Sequence, residues 1–279
     1  MKRNLLVALA MVFSASAYSQ FYVAVSGGYG FEANPKVLGK EVNKTGVNEL
    51  KGSYGAGFQS QIRGGYFFTK RIGAEVAVGY LHGKELQTYK IDRDFPMGGI
   101  NGNIKTDITA QGRAFGASLA AIYNVTKNIY ARAGVVTKIG GKTEVFTNFD
   151  LSLTGREAKA EIKNNLHGKI PFGFIGGLGY KFKLTDKVSA FIEGEYLNIN
   201  VGRKTSKLDS FSATYNGKAI SKEVFANSLK GFAGSNPALA PIADQLTPLL
   251  QEEYDWSDKN APDAPYSSVG VNVGLIFHL

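Results

Sequence analysis

Seven polar side chains stand in stretches that are otherwise largely apolar: Gln59, Gln61, Arg63, Glu75, Arg132, Glu193 and Glu195. Two guanidiniums and three carboxylates gathered away from water can do two kinds of chemistry. They can neutralise one another in a fixed hydrogen-bonded network, or they can relay protons and gate ions. Other candidate groups are weaker. His82, His167 and His278 are scattered and form no H-x-x-x-H pair, so no metal site is expected. His82 with Ser118 or Ser60 is the kind of set a hydrolytic centre needs, but Ser60 falls in the apolar phase of its segment. Gly141-Lys142-Thr143 imitates the end of a phosphate-binding loop, yet the earlier glycine that loop needs is replaced by Val136. Asp255, Asp258 and Asp263 lack calcium-loop spacing, and the chain has no cysteine. The expectation is no catalytic residue, no metal and no cofactor.

The elements that must hold the charged set are strands. From Val269, every second residue is apolar: Val269, Val271, Val273, Leu275, Phe277 and Leu279. The positions between are small or polar, with Ile276 the exception. A period of two is a strand with one face in an apolar medium, and about eleven residues is the length of a tilted membrane-crossing strand. Seven more segments repeat the alternation, beginning at Phe21, Tyr54, Ile72, Phe115, Ile129, Phe172 and Val188. If their apolar sets face lipid, the seven polar side chains face inward. Counted from the short turns they lie at similar depth, so they should converge into one charged layer. An interior enclosed by eight strands is narrow enough for side chains to fill.

Connections alternate in length. Thr69–Arg71, Asn124–Asn128 and Lys183–Lys187 are short, whereas about 32–53, 84–113, 137–169 and 201–264 are long. The three short turns share one grammar: an aromatic strand end, then Thr and Lys, then a β-branched strand start. Tyr66, Phe68, Tyr123, Tyr180 and Phe182 mark the turn end, while Tyr29, Tyr54, Tyr80 and Tyr196 mark the loop end. Rings at both ends match a membrane belt. The fold expected is therefore all-β: an eight-stranded antiparallel transmembrane up-and-down β-barrel with short periplasmic turns and four long extracellular loops.

The N-terminus fits export. Lys2 and Arg3, the apolar run Leu5–Phe13 and Ala15-Ser16-Ala17 read as a signal peptide over residues 1–19, cleaved after 17 or 19. Residues 20–279 then form a single barrel domain. The whole chain carries +9; without Lys2 and Arg3 it has 30 basic against 23 acidic residues. Export directs that basic surplus to anionic headgroups rather than to nucleic acid. In the last connection, Ser221–Phe232 and Leu239, Ile242, Leu246 and Leu249 have helical spacing. Asn236-Pro237 reads as a cap with Pro at the first helical position, although Pro241 and Pro248 interrupt. The expectation for this connection is packing within itself that caps the barrel mouth; the alternative is a surface partner site with an exposed Trp256 as its anchor.

These strands and turns resemble the small outer-membrane barrels of the OmpA/OmpX type over essentially the whole mature length. The resemblance implies the outer membrane of a Gram-negative bacterium and contact with outer-membrane lipid and lipopolysaccharide; unlike the longer members of that family, no periplasmic peptidoglycan-binding domain is expected after the barrel. Val271, Val273, Leu275, Phe277 and Leu279 resemble the C-terminal signal read by the insertion machinery, except that Leu rather than an aromatic comes last. The function expected is non-enzymatic: support of the envelope, or surface interaction with an unidentified extracellular ligand through the loops, above a plugged lumen. A narrow pore for small or hydrophobic solutes is one alternative, and a lipid-modifying outer-membrane enzyme is another.

Overall fold

In the computed structural model, residues 20–43, 46–97, 100–236, 239–256 and 263–279 are described. The expected signal peptide lies outside them, as does Pro237. The strands are β1 (Gln20–Glu32), β2 (Lys36–Asn43), β3 (Gly46–Gly52), β4 (Gly57–Phe67), β5 (Ile72–Met97), β6 (Ile100–Asn124), β7 (Ile129–Leu153) and β8 (Arg156–Gly168). They continue with β9 (Gly173–Lys183), β10 (Val188–Asn198), β11 (Asn200–Val201), β12 (Arg203–Tyr215), β13 (Lys218–Ala219), β14 (Glu253–Asp255), β15 (Ala264–Pro265) and β16 (Ser268–His278). Antiparallel ladders run β1–β4–β5–β6–β7–β9–β10–β16, and β16 pairs back with β1, from Tyr22 opposite His278 to Glu32 opposite Ser268. The ladder thus closes on itself, which removes the exposed edges of an open sheet.

The side chains of this ring alternate between two environments. Phe58, Ile62, Val76, Val78, Leu119, Leu178, Ile192 and Val273 point outward and are exposed, as are Val269, Val271, Leu275 and Phe277 of β16. Aromatic pairs gather at its two ends. Phe21–Tyr66 and Tyr180–Phe182 lie toward the short turns with centroids 4.6 and 4.7 Å apart; Tyr29–Phe58 and Tyr80–Phe115 lie at the other end at 5.0 and 4.9 Å. The repeated turn grammar has a physical cause. Thr69, Thr126 and Thr185 each accept two backbone N–H bonds on the side-chain oxygen, at 2.9–3.2 Å, from the residues two and three ahead.

Sixteen strands among the described residues replace the expected eight, because much of the long connections is itself sheet. The spans 84–113 and 137–169 are the outer halves of the β5–β6 and β7–β8 hairpins, and 32–53 holds the β2–β3 hairpin. Reading strands as ending at membrane length cut them short. Above the ring, β2, β5, β6, β7, β8 and β12 form a curved sheet around an apolar core of Leu86, Ile91, Phe95, Ile108, Phe149 and Ile162, among others. Two helices cover this core. α1 (Lys222–Ser235) is capped by Ser221, whose Oγ accepts from the Val224 N–H, and it buries Phe225 and Leu229. α2 (Ala240–Leu246) buries Ile242 and Leu246, and a single 3₁₀ turn, Pro248–Leu250, follows. We call this unit the head.

Three local expectations are corrected. Asn236 closes α1 instead of capping the next helix: its N–H donates to Phe232 O at 2.9 Å. Pro241 and Pro248 do not interrupt helices but sit in their first turns, where no N–H is needed. Tyr54 does not join the outer aromatic belt. The left-handed backbone of Gly57 (φ +142°) separates it from β4, and its ring is buried 5.6 Å from that of Tyr266.

Candidate functional site: a charged layer across the ring

The ring turns the inward set of each strand onto a narrow axis, and the structure brings all five ionisable candidates together there. Arg63 on β4 donates from Nη1 and Nη2 to the two oxygens of Glu193 on β10, at 3.0 and 2.9 Å. Arg132 on β7 donates from Nη1 to Glu75 Oε1 on β5 at 2.9 Å and from Nη2 to Glu195 Oε2 on β10. Its Nε lies 3.2 Å from Glu193 Oε1. The two guanidiniums are therefore tied together through Glu193, which is 0% exposed. Gln61 bridges the strands of the two networks: Nε2 donates to Glu195 at 3.1 Å, and Oε1 accepts from Arg63 Nε at 3.1 Å. Gln59 lies one step nearer the head and donates to Asn272 Oδ1 on β16 at 3.0 Å.

Two residues that charge patterning did not single out complete the layer. Tyr22 on β1 donates its hydroxyl to Glu75 Oε2 at 2.7 Å, and Tyr130 on β7 donates to Glu193 Oε2 at 2.8 Å. Each ring lies across a glycine of the adjacent strand. A Cβ on Gly65 would come within 2.1 Å of the Tyr22 ring, and one on Gly179 within 2.3 Å of the Tyr130 ring. The signal was present in the sequence, since Tyr22 and Tyr130 occupy the inward phase of their strands. Phe191 adds an apolar plate 5.2 Å from the Arg63 guanidinium.

Burying this many charges is costly unless each is paired. Here the lattice supplies the pairing: two guanidiniums face three carboxylates, and two phenols and an amide donate into the surplus. A site so fully self-satisfied has little donor or acceptor capacity left for a solute. The buried atoms here that lack a hydrogen bond, Asn272 Nδ2, Ser26 Oγ and Arg132 Nε (the last in ion-pair range of Glu193), are spread over different strands.

The other candidates fall elsewhere. His82 lies against Gln111 and Arg113, with ring nitrogens 3.3 and 3.1 Å from them, and Ser60 is exposed on the outer face. His278 contacts Ser189 Oγ at 3.0 Å. Among the described residues no three His, Asp or Glu side chains gather as a metal site would require. Trp256 is not an exposed anchor. It is half-buried, edge-on to Tyr254 at 4.6 Å and 5.6 Å from the Arg203 guanidinium, because backbone pairing to Lys204 pulls it onto the head.

Between layer and head sits Tyr266, whose hydroxyl is 2.6 Å from Thr143 Oγ1. Burial raises the pKa of both Tyr266 and its neighbour Tyr54, the latter to about 12, so both remain neutral phenols.

A family model described as the outer membrane protein beta-barrel domain matches residues 5–218. No curated protein matches the chain. Among solved structures, it is similar to Ail, the attachment invasion locus protein of Yersinia pestis, at 10% identity, covering 94% of this chain and 97% of that one with a TM-score of 0.27. It is also similar to CarO of Acinetobacter baumannii, at 15% identity, 92% and 97% coverage and a TM-score of 0.32. The family match covers most of the chain, and with the apolar outer wall it leads to one conclusion: the chain belongs to the outer membrane protein beta-barrel family and resides in the outer membrane of a Gram-negative bacterium.

Proposed function

We propose that the eight strands of the closed ladder form a non-enzymatic transmembrane barrel, sealed by the charged layer, that holds the head outside the cell. In this reading the three threonine turns face the periplasm. The head serves envelope integrity or surface contact, and the outer wall and its aromatic ends contact lipid and lipopolysaccharide. One observation carries the sealed-lumen reading: Arg63 and Arg132 are both buried and share Glu193, so the layer crosses the ring without a break in its pairing. Removing water from these groups is tolerated only because they satisfy one another, and opening a path would strand them.

Purified protein in planar bilayers tests this. The expected result is no stepwise current from the unaltered chain. Stepwise conductance that Glu193→Gln abolishes would overturn the sealed lumen in favour of a gated pore. Sidedness is tested by adding protease to intact cells, where cleavage is expected in the head and not at the threonine turns.

A further inference from the structure

β7 changes neighbour halfway along. It pairs with β9 as far as Val136 opposite Gly173, and with β8 only from Thr143 opposite Leu166. Between these points, residues 137–142 have a ladder partner on the β6 side alone. Thr137 Oγ1 donates to Pro171 O at 2.6 Å across the break. The break coincides with a bulge: Phe115 lies opposite Gly140 and Gly116 opposite Lys138, so Ile139 is extra, and Gly141 adopts φ +92°. The gap opens as an outer groove lined by Lys138, Lys142, His167, Ile139 and Ile170, among others.

Behind the gap lies a cavity of about 110 Å³ in the head. Lys138 and His167 line both spaces. The inner cavity adds Arg203, Trp256, Tyr54 and Tyr266 as polar walls, and apolar walls such as Ile108, Val145 and Leu249. Among the described residues no carboxylate lines it. Lys138 stacks 5.3 Å from the Tyr266 ring and Arg203 5.6 Å from Trp256; among the described residues neither has a carboxylate within ion-pair distance. Two donor-capable atoms are buried without any partner, His167 Nδ1 and Trp256 Nε1. Burial, and then the nearby Lys138, Lys207 and Lys142, hold the His167 pKa below its ordinary value against the opposing pull of Glu253.

We propose that this cavity binds a small organic anion, its carboxylate or phosphate held by Lys138, Arg203 and the Trp256 indole N–H and its apolar body against Ile108, Val145 and Leu249. Cations without counter-charge beside unpaired buried donors leave an electrostatic vacancy that one compact anion fills. The break in the β7 ladder is the way in. The assignment goes beyond the sealed lumen and does not depend on it, because the cavity lies on the head side of Tyr266.

Trp256 is the only tryptophan, so its fluorescence reports on the site directly. The full chain in a neutral detergent is titrated with hexanoate, inorganic phosphate and uncharged hexanol. Hexanoate is expected to shift the emission saturably, phosphate to do so more weakly, and hexanol not at all. Lys138→Met and Arg203→Met should each weaken hexanoate about tenfold or more, whereas Lys218→Met, on the exposed β12–β13 hairpin, should not. Far-ultraviolet dichroism of each variant confirms folding. Emission that responds to neither anion, or equal hexanoate affinity in the unaltered chain and a folded Lys138→Met, overturns the site. A response to phosphate but not to hexanoate overturns the organic-anion assignment and leaves a site for free phosphate. None of these results bears on conductance, so the sealed lumen stands or falls separately.

Discussion

β6 is two strands in one. Along its lower half the outward residues are apolar, Phe115, Leu119 and Tyr123, and the inward ones are small or face the charged layer. Along its upper half the same pleat continues, but Ile104, Ile108 and Ala110 now point inward to the head core while Lys105, Asp107 and Thr109 look out. The pleat does not change; its surroundings do. The lower half keeps its polar groups inside and its apolar groups toward lipid, and the upper half follows the ordinary order of a protein in water. The change falls near Arg113, just above Tyr80 and Phe115, where the aromatic end of the wall lies.

The two interiors should respond differently to injury. The largest effect is expected in the charged layer: Glu193→Ala leaves two buried guanidiniums short of a partner and should cost about 3–5 kcal/mol. Denaturant unfolding of the chain reinserted in liposomes measures it. If Arg63→Met combined with Glu193→Leu loses as much as the single change, the loss is one of packing and the electrostatic contrast between the interiors fails.

In the head, Leu246→Ala removes a fully buried side chain and should cost about 2–5 kcal/mol. The damage should stay local, with faster proteolysis between α1 and β14 while the wall keeps its resistance to detergent and heat. Loss of that resistance would show that the two interiors form a single cooperative unit. Val273→Arg, on the outer wall, should cost about 2–4 kcal/mol in a bilayer. The same charge at Lys105, on the outer face of the head, is already tolerated in the native chain. Smallest is Thr126→Ala, which deletes two bonds at one short turn and should cost about 0.5–1.5 kcal/mol, read as a small shift of the unfolding midpoint.

The lower half was legible in the sequence because lipid imposes a simple rule, and the rule leaves a period of two. It also placed Arg63, Glu75, Arg132, Glu193 and Glu195 inward together, since parity within a strand fixes the side on which a residue falls. Tyr22 and Tyr130 were in the same phase but carry no charge to draw attention. The upper half was harder for a physical reason. Ile104, Thr106, Ile108 and Ala110 alternate as well as any wall segment, but Lys105 and Asp107 between them look like a loop to a reading that expects strands to stop at the membrane boundary. Bulges between His82 and Glu85 and between Gln87 and Tyr89 shift the phase of β5 further. The anion cavity was least legible, because Lys138, His167, Arg203 and Trp256 come from four separate segments that only the bulge and the head bring together.

The seam between β1 and β16 carries a consequence for biogenesis. Strands from opposite ends of the ring sequence must meet before any edge is covered, so a ribosome delivers nearly the whole wall before closure is possible. Until β16 arrives, β1 presents an open hydrogen-bonding edge beside a row of lipid-seeking side chains, which is a template for aggregation. Zipping this seam is therefore the step that covers the last open edges of the wall.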